Sequence, residues 1–289
     1  MSARILLIAN HRKPRIVEAL ETFRPWLRQR AQVVAELDSW DDAPLKTNGD
    51  ELAIVLGGDG TMLQQARRIV AHGLRLVGIN FGKLGFLAPF TLEEVQRKWD
   101  AIVAGKLPIS HRVLLEADVQ ADPESDARLK LLAMNDIVIT SGPPYRMVQL
   151  ELIISREGVS REKGTHFSGD GVIVATPTGS TAYNLSATGP VVTPDVDGLL
   201  VTPICPQTLS FRPIVLNGSD TIILKLHGAN PGTAVVVDGQ VPTALATGAV
   251  LNLRAHAKRL QLVTNPDVSF WATLSKKMRW AASPRIVDA

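Results

Sequence analysis

The sequence is short of several residue types, and each shortage argues against a class of protein. Its 289 residues include one cysteine, Cys205, so an intrachain disulfide is excluded and a cysteine-based metal site is not expected. No run approaches the ~18 apolar residues of a membrane-spanning helix. Like charges do not form blocks of five or six, and the net charge is only +3. We therefore expect neither a nucleic-acid nor a membrane partner, and the lone cysteine is typical of a cytoplasmic protein.

Glycine is plentiful beside these shortages, with 22 residues in a chain that is only 5% aromatic. Glycine is used where the backbone must turn sharply or approach a ligand closely, so the positions of the glycines matter. The hydrophobic share of 45% is that of a globular protein, and the length predicts about two domains.

The first 110 residues alternate strand and helix patterns. Short apolar runs at 5–9, 33–35, 52–56 and 74–79 predict strands, and helical spacing after Pro14 and over 62–71 predicts helices. Pro25 is expected to interrupt or end the first of these helices, and Thr91 to cap a later one. Buried strands alternating with helices indicate an α/β domain over 1–110 with a parallel, Rossmann-like sheet.

The period changes to two from about residue 111. Apolar residues alternate over 113–119, 148–154 and 222–226, and Asp238-Gly239 has the sequence of a hairpin turn. We therefore expect an all-β sandwich domain over 111–265. Helical spacing returns after Phe270, so residues 266–289 are expected to form a helix that packs back on the first domain.

A glycine-rich turn, Gly57 to Thr61, follows the third predicted strand and begins a helix. Backbone N–H groups at such a turn, with positive φ available to glycine, bind phosphate. Asp59 is unexpected there, because a carboxylate repels phosphate. It can accept a proton from an attacking hydroxyl, which is worth roughly 10²–10⁴ in rate. The alternative is that Asp59 caps the helix and that the turn is merely tight.

A second segment rich in small residues runs from Ser168 to Tyr183. The hydroxyls of Thr176, Thr178, Ser180 and Thr181 and the ring of Tyr183 fit a nucleotide pocket. The alternative is a polar turn with Tyr183 in the core.

Together these motifs resemble the NAD kinase family. The resemblance is carried by Gly57-Gly58-Asp59-Gly60-Thr61, Asn135-Asp136, Gly169-Asp170-Gly171, Thr176 to Ser186, Asp238 with Gln240, and Thr273-Leu274 with Lys277. It implies phosphorylation of the 2′-hydroxyl of the adenosine ribose of NAD⁺ by ATP with Mg²⁺, giving NADP⁺. It also implies an α/β domain joined to a β-sandwich, and a homodimer or homotetramer.

The resemblance implies roles for particular residues, with Asp59 as the general base. The phosphate-binding turn would be Gly57, Gly58, Gly60 and Thr61. The NAD contacts would be Asp59, Gly60, Asn135, Asp136, Arg146, Asp170, Thr181, Ala182, Tyr183, Asn184, Leu185, Ser186 and Gln240. No protein side chain is assigned to the metal. Ser168 and Gln64 stand where relatives often carry a basic residue, and Lys83, Arg161 or Lys163 could compensate for the lost charge.

Two alternatives to an NAD kinase remain open at this point. The glycine-rich turn is shared with lipid kinases of the diacylglycerol and sphingosine type, which would not need the segment from Thr176 to Ser186. A non-catalytic NAD(P) sensor would keep the fold without turnover, although Asp59 speaks against it.

Overall fold

The computed structural model describes residues 2–41, 43–82, 85–156, 164–240 and 242–278. The chain divides into two compact units, one made of residues up to His111 together with those from Leu260 onward, the other of Arg112–Arg259. The strands are β1 (Ala3–Ala9), β2 (Ala31–Asp38), β3 (Leu52–Gly57), β4 (Arg75–Asn80), β5 (Ile109–Arg112), β6 (Leu115–Gln120), β7 (Leu129–Ala133), β8 (Asp136–Thr140), β9 (Val148–Ser155), β10 (Thr165–Gly169), β11 (Gly171–Ala175), β12 (Gly198–Ile204), β13 (Ile214–Asn217), β14 (Thr221–Gly228), β15 (Ala234–Val237), β16 (Thr243–Ala244), β17 (Val250–Ala255) and β18 (Leu260–Val263). The α-helices are α1 (Pro14–Arg28), α2 (Asp59–Ile69), α3 (Leu92–Arg97), α4 (Trp99–Val103), α5 (Tyr183–Ser186) and α6 (Phe270–Met278).

The first unit is built on a sheet with strand order β2-β1-β3-β4-β18-β5. Pairing from β2 through to β18 is parallel, and β1 and β3 are buried along most of their length. The chain leaves β1 towards β2 on one side and leaves β3 towards β4 on the other. Ligands bind at such a reversal, outside the carboxyl ends of the strands. The predicted α/β fold is confirmed, and the glycine-rich turn lies at this edge of the sheet.

Helix α1 does not end at Pro25 as expected, but continues to Arg28. Phe23 and Leu27, on either side of the proline, are fully buried, and Phe23 stacks on Trp26 with ring centroids 5.6 Å apart. Burial of this apolar face offsets the hydrogen bond that the proline cannot make. Thr91 caps α3 as predicted, in a capping box with Glu94.

The chain returns to the first unit earlier than the expected boundary at 265. Strand β18 pairs in parallel with β4, so residues from Leu260 belong to the first sheet. Helix α6 also belongs to this unit, where Leu274 is fully buried and Phe270 lies 5.7 Å from Phe86 between ring centroids. Within the described ranges, every helix falls short of the length and apolar character of a membrane span.

The second unit packs one antiparallel sheet, β10-β9-β14-β17-β6-β7, on another, β13-β12-β11-β8-β15-β16. Alternate residues of β9 (Val148, Leu150 and Leu152) face a core that they share with Val172 and Val174 of β11. Apolar residues therefore alternate because every second residue faces the core between the two sheets. The predicted all-β sandwich is confirmed.

The hairpin turn predicted at Asp238-Gly239 connects β15 to β16. Both residues have positive φ, +48° and +68°, as a type I′ turn requires. Gln240 N donates to Val237 O at 2.9 Å and closes the turn.

Candidate functional site

Asp59 is the first residue of α2, directly after β3 and the extended Gly58. Gly58, and not Asp59, is the N-cap residue of this helix, and the bonds of the Asp59 carboxylate are made to residues outside α2. The capping interpretation of Asp59 is therefore wrong. The Asp59 side chain is about 29% exposed.

Three donors from distant parts of the first unit hold the Asp59 carboxylate. Phe86 N donates to Oδ2 at 3.2 Å and Leu87 N to Oδ1 at 3.1 Å, while Lys277 Nζ lies 3.0 Å from Oδ2. A Cβ on Gly85 would overlap Oδ1, so only glycine leaves room for this arrangement. A carboxylate has about four acceptor sites, so one is left for a hydroxyl proton.

The glycines of the turn do not act as the sequence predicts. Gly57, Gly58 and Gly60 are absent from the positive-φ residues of the described chain, so the expectation of left-handed backbone is wrong. Gly57 is needed for space, because a Cβ there would overlap the Thr61 side chain. Gly60 has open space in front of it, and Lys13 Nζ lies 3.8 Å from the position of a Cβ on Gly58. The turn therefore leaves room for an anion beside a lysine.

In the second unit, Asp238 fixes the backbone around Asn135. Its carboxylate accepts from Met134 N at 3.0 Å, Asn135 N at 2.7 Å and Asp136 N at 3.2 Å. Asp136 itself is buried, and burial together with the charge of Asp238 raises the pKa of its carboxyl to about 7. Asp136 is thus poised between its charged and neutral forms near physiological pH.

A cavity of about 310 Å³ lies beside these acids, within the size range of small-ligand sites. It is lined by Asn135, Asp136, Val138, Thr140, Ala182, Tyr183, Val236, Asp238 and Gly239. Four of the residues that the resemblance assigns to NAD are therefore brought together. Tyr183 is 47% exposed, so the interpretation of this ring as a core residue is wrong.

Thr176, Thr178 and Ser180 are buried, and within the described residues Thr178 Oγ1 has no hydrogen-bond partner, whereas the other two hydroxyls bond within the protein. Thr176 Oγ1 donates to Met134 O at 2.7 Å, and Ser180 Oγ donates to Val192 O at 3.0 Å. Asn184 has no exposed surface, and its amide donates to Ser180 O and Pro190 O at 3.1 and 3.0 Å. The expectation that the hydroxyls of Thr176 and Ser180 face a ligand is wrong, and the Asn184 side chain also lies in the interior. These groups shape the segment that presents Ala182 and Tyr183.

The remaining predicted residues do not line this cavity within the described part of the chain. Arg146 is exposed, and its carbonyl accepts from Asn230 Nδ2 at 2.8 Å. Asp170 is half-buried in the connection between β10 and β11, and Gln240 is exposed beyond the hairpin turn. Thr181 and Leu185 are half-buried, and Ser186 is exposed.

Three residues that lie close to these groups stand out little in the sequence. Lys13 belongs to no motif described above, yet it follows β1 at the same sheet edge as the glycine-rich turn. Lys277 and Asp238 belong to the motifs that carry the resemblance, but the sequence does not show which residues they contact. Lys83, Arg161 and Lys163, proposed as compensating cations, lie outside the described residues.

A larger hollow of about 780 Å³ lies on the exposed face of the sheet that contains β6 and β17. Its acids are already paired, since Asp118 contacts Arg128 and Lys130 and Glu116 contacts Arg254. It is a solvated face of ion pairs.

Two family models match most of this chain, and curated relatives match it at 33% identity or more. The model of the ATP-NAD kinase N-terminal domain matches residues 39–107, and that of the ATP-NAD kinase C-terminal domain matches residues 134–265. An NAD kinase from Symbiobacterium thermophilum is 42% identical over 79% of this chain and 78% of its own length. One from Syntrophotalea carbinolica is 33% identical over 96% of this chain and 98% of its own length.

Solved structures are similar over nearly the whole chain. An NAD kinase from Archaeoglobus fulgidus in complex with ATP covers 96% of this chain and 98% of its own, with a TM-score of 0.68 and 26% identity. The yeast NADH kinase complexed with NADH has a TM-score of 0.83 over 99% of this chain and 90% of its own. At 24% identity, the latter shows a shared fold.

Proposed function

The chain belongs to the ATP-NAD kinase family and phosphorylates NAD with ATP, and we propose that Asp59 is the general base of this reaction. The 2′-hydroxyl oxygen of the adenosine ribose attacks the γ-phosphorus of ATP. The new O–P bond forms as the bond from the γ-phosphorus to its bridging oxygen breaks, and ADP leaves. The hydroxyl proton passes to Asp59, and the product is NADP⁺.

The single observation that carries this proposal is the geometry of the Asp59 carboxylate. Phe86 N and Leu87 N fix its plane through two hydrogen bonds, so the carboxylate does not need to reorganise during reaction. Lys277 adds a positive charge beside it. These donors leave one acceptor position, which is what a base for a hydroxyl needs.

The phosphate-binding role that we propose for Gly57, Gly58, Gly60 and Thr61 is supported by their place at the start of α2. The unpaired N–H groups of the first turn and the helix dipole favour an anion there. Two cations balance the negative charge of the phosphoryl group that is transferred: Lys13 beside Gly58, and Lys277 beside Asp59.

Mg²⁺ fits this turn in the way that it fits other phosphoryl-transfer sites, bound chiefly by nucleotide phosphates with one or two carboxylates. Asp59 is the carboxylate that the described residues bring to the turn, and its oxygens already accept three hydrogen bonds. We therefore propose that the ion arrives with ATP. When bound, it neutralises charge on the phosphates.

For NAD we propose the cavity beside Asn135 and Asp136 as the adenosine pocket. Its size, the exposed ring of Tyr183 and the polar edge at Asn135 support stacking and hydrogen bonding of a base and ribose. The further contacts proposed on the resemblance are Gly60, Arg146, Asp170, Thr181, Ala182, Asn184, Leu185, Ser186 and Gln240. For Asn184, burial favours a backbone contact over one from its side chain.

We also propose a homodimer or homotetramer in the cytoplasm. The oligomer is supported by the edge strand β13 and the segment before it: Leu209 in that segment is 80% exposed, and Ile214 and Val215 on the strand are 38% and 48% exposed. An unpaired edge with apolar side chains is a typical interface. The cytoplasmic location is supported by the lone cysteine and by the use of ATP and NAD.

The relatives reported above give no support to a lipid kinase or to a sensor. A donor-by-acceptor activity matrix on the purified protein tests the proposal. We expect γ-labelled ATP with Mg²⁺ to transfer label to NAD⁺, at the 2′ position by phosphorus NMR, and to neither diacylglycerol nor sphingosine. Label in a lipid, or NAD binding without any transfer, would favour one of the two alternatives.

A further inference from the structure

Three adjacent strands at one edge of the sandwich bring two histidines and a glutamate together. Glu151 lies on β9, His166 directly opposite it on the edge strand β10, and His227 on β14. The register of β14 shifts between Leu226 and Gly228, so His227 sits in an irregularity. Bulges of this kind redirect side chains. One ligand atom from each of the three residues lies within 4.8 Å of the others.

The contacts within this group orient the side chains. His227 Nε2 lies 2.8 Å from Glu151 Oε2, and the rings of His166 and His227 have centroids 5.2 Å apart. A Cβ on Gly164 would overlap Glu151 Oε1, so glycine there lets the carboxylate lie against the backbone.

We propose that Glu151, His166 and His227 bind a divalent transition-metal ion of the zinc class. Two imidazole nitrogens and one carboxylate are a frequent ligand set for Zn²⁺, which accepts a water as its fourth ligand. Tetrahedral coordination needs ligand atoms about 3.3 Å apart, and rotation of the two exposed histidine side chains reaches this from the observed spacing. None of the three belongs to the residues proposed to bind NAD or ATP.

The surroundings leave room for the fourth ligand. A hollow of about 320 Å³ is bordered by His166 and His227 and also by Ser168, Gln207 and Thr208. These side chains offer hydroxyl and amide groups that can hydrogen-bond a metal-bound water. Lys225 Nζ, 3.5 Å from Glu151 Oε2, is a cation that competes with the ion for this carboxylate.

Metal binding has a structural consequence at this position. An ion bound by all three residues joins the edge strand β10 to β9 and β14. Since β10 leads through Gly169 into Asp170, the ion stabilises the strand before that residue. Binding to the folded state alone raises the unfolding temperature in proportion to the logarithm of metal concentration.

The test is a titration of chelator-treated, full-length protein with Zn²⁺ alone, followed by calorimetry, with Co²⁺ absorption as a second readout. We expect one Zn²⁺ per chain and a higher Tm with metal. His166→Ala and His227→Ala should each weaken binding by at least about tenfold. His256→Ala is the matched control, because this histidine lies in the same unit but hydrogen-bonds to Lys258.

Two further arms keep the result unambiguous. Lys225→Gln should bind Zn²⁺ at least as tightly as wild type, because a competing ammonium is removed. Mg²⁺, which prefers oxygen ligands, should not displace Zn²⁺. The proposal is overturned if wild type binds no Zn²⁺, or if the double variant His166→Ala/His227→Ala binds it as tightly as wild type. Since the imidazole rings are exposed, loss of folding is not expected, and circular dichroism of each variant checks it.

Discussion

Lys277 Nζ lies 3.0 Å from Asp59 Oδ2, and this contact joins α6 to the first residue of α2. Lys277 also lies over the ring of Phe86, 4.7 Å from its centroid, and Phe86 N donates to the same carboxylate oxygen. The lysine therefore helps to orient the carboxylate, and it places a positive charge beside the proposed general base.

The first prediction concerns this lysine. Lys277→Ala should lower kcat by about tenfold or more, since a charged donor beside the reacting group is lost. Lys276→Ala is the control. This substitution removes an equal charge from the neighbouring residue of α6 and leaves the contact between Lys277 and Asp59 in place. Steady-state kinetics with saturating ATP and NAD⁺ measure both. Equal effects from the two variants would show that the Lys277 contact with Asp59 does not contribute to turnover.

The second prediction uses a pair of glycines. Gly85→Ala should displace the Asp59 carboxylate, because its Cβ would overlap Oδ1, and a displacement of about 1 Å costs on the order of 10² in rate. Gly82→Ala serves as control, since the nearest atom to its Cβ would be Asn80 Oδ1 at 3.8 Å. Activity of Gly85→Ala close to that of Gly82→Ala would mean that the position of Asp59 is not critical.

The third prediction concerns the exposed ring in the second unit. Tyr183→Ala should raise the KM for NAD⁺ and leave the KM for ATP and the Tm close to their wild-type values, because the ring lines a cavity and does not fill the core. Tyr183→Phe keeps the stacking face and should retain the wild-type KM. A lower Tm with unchanged KM would contradict the proposed pocket.

The fourth prediction concerns pH. The folded-state pKa of Asp136, about 7, lies above the unfolded value near 4, so the native state holds a proton that the unfolded chain releases. The stability that this proton contributes is present below about pH 4 and is lost as the pH rises through 7. Asp136→Asn should therefore gain stability relative to wild type between about pH 5 and pH 8, measured by urea unfolding.

A buried acid with the opposite shift is the control for this experiment. Arg156 holds the pKa of Asp220 below its usual value, so Asp220 is ionised in both the folded and the unfolded state across that range. Asp220→Asn should be destabilised by an amount that does not vary from about pH 5 to pH 8. A flat difference for Asp136→Asn would contradict the raised pKa.

Much of the fold was predictable because buried apolar residues recur at a regular spacing along each strand and helix. Runs such as Leu52–Gly57 are buried on both faces and read as continuous apolar strands, whereas Val148, Leu150 and Leu152 alternate because one face is solvated. The prediction that Pro25 interrupts or ends α1 was wrong, because the helix propensity of the residues around Pro25 does not include the burial of Phe23 and Leu27.

Less of the site was predictable. The sequence marks Asp59 by its neighbours, but its partner Lys277 is 218 positions away, and only the return of the chain through β18 and α6 brings them together. Likewise, the sequence shows that Thr176 and Ser180 carry hydroxyls, but it does not show where those hydroxyls point. The bond from Thr176 to Met134 depends on the pairing of β11 with β8 within one sheet, and the bond from Ser180 to Val192 depends on the fold of the connection between β11 and β12.

The most direct test of the central claim is the rate of the chemical step in Asp59→Asn, measured in a single turnover with enzyme-bound NAD⁺ and ATP. Asp50→Asn, an exposed carboxylate paired with Arg4, is the control. We predict a loss of at least about 10²-fold for Asp59→Asn with NAD⁺ affinity largely retained, and no loss for the control. A chemical step close to the wild-type rate in Asp59→Asn would contradict its assignment as the general base.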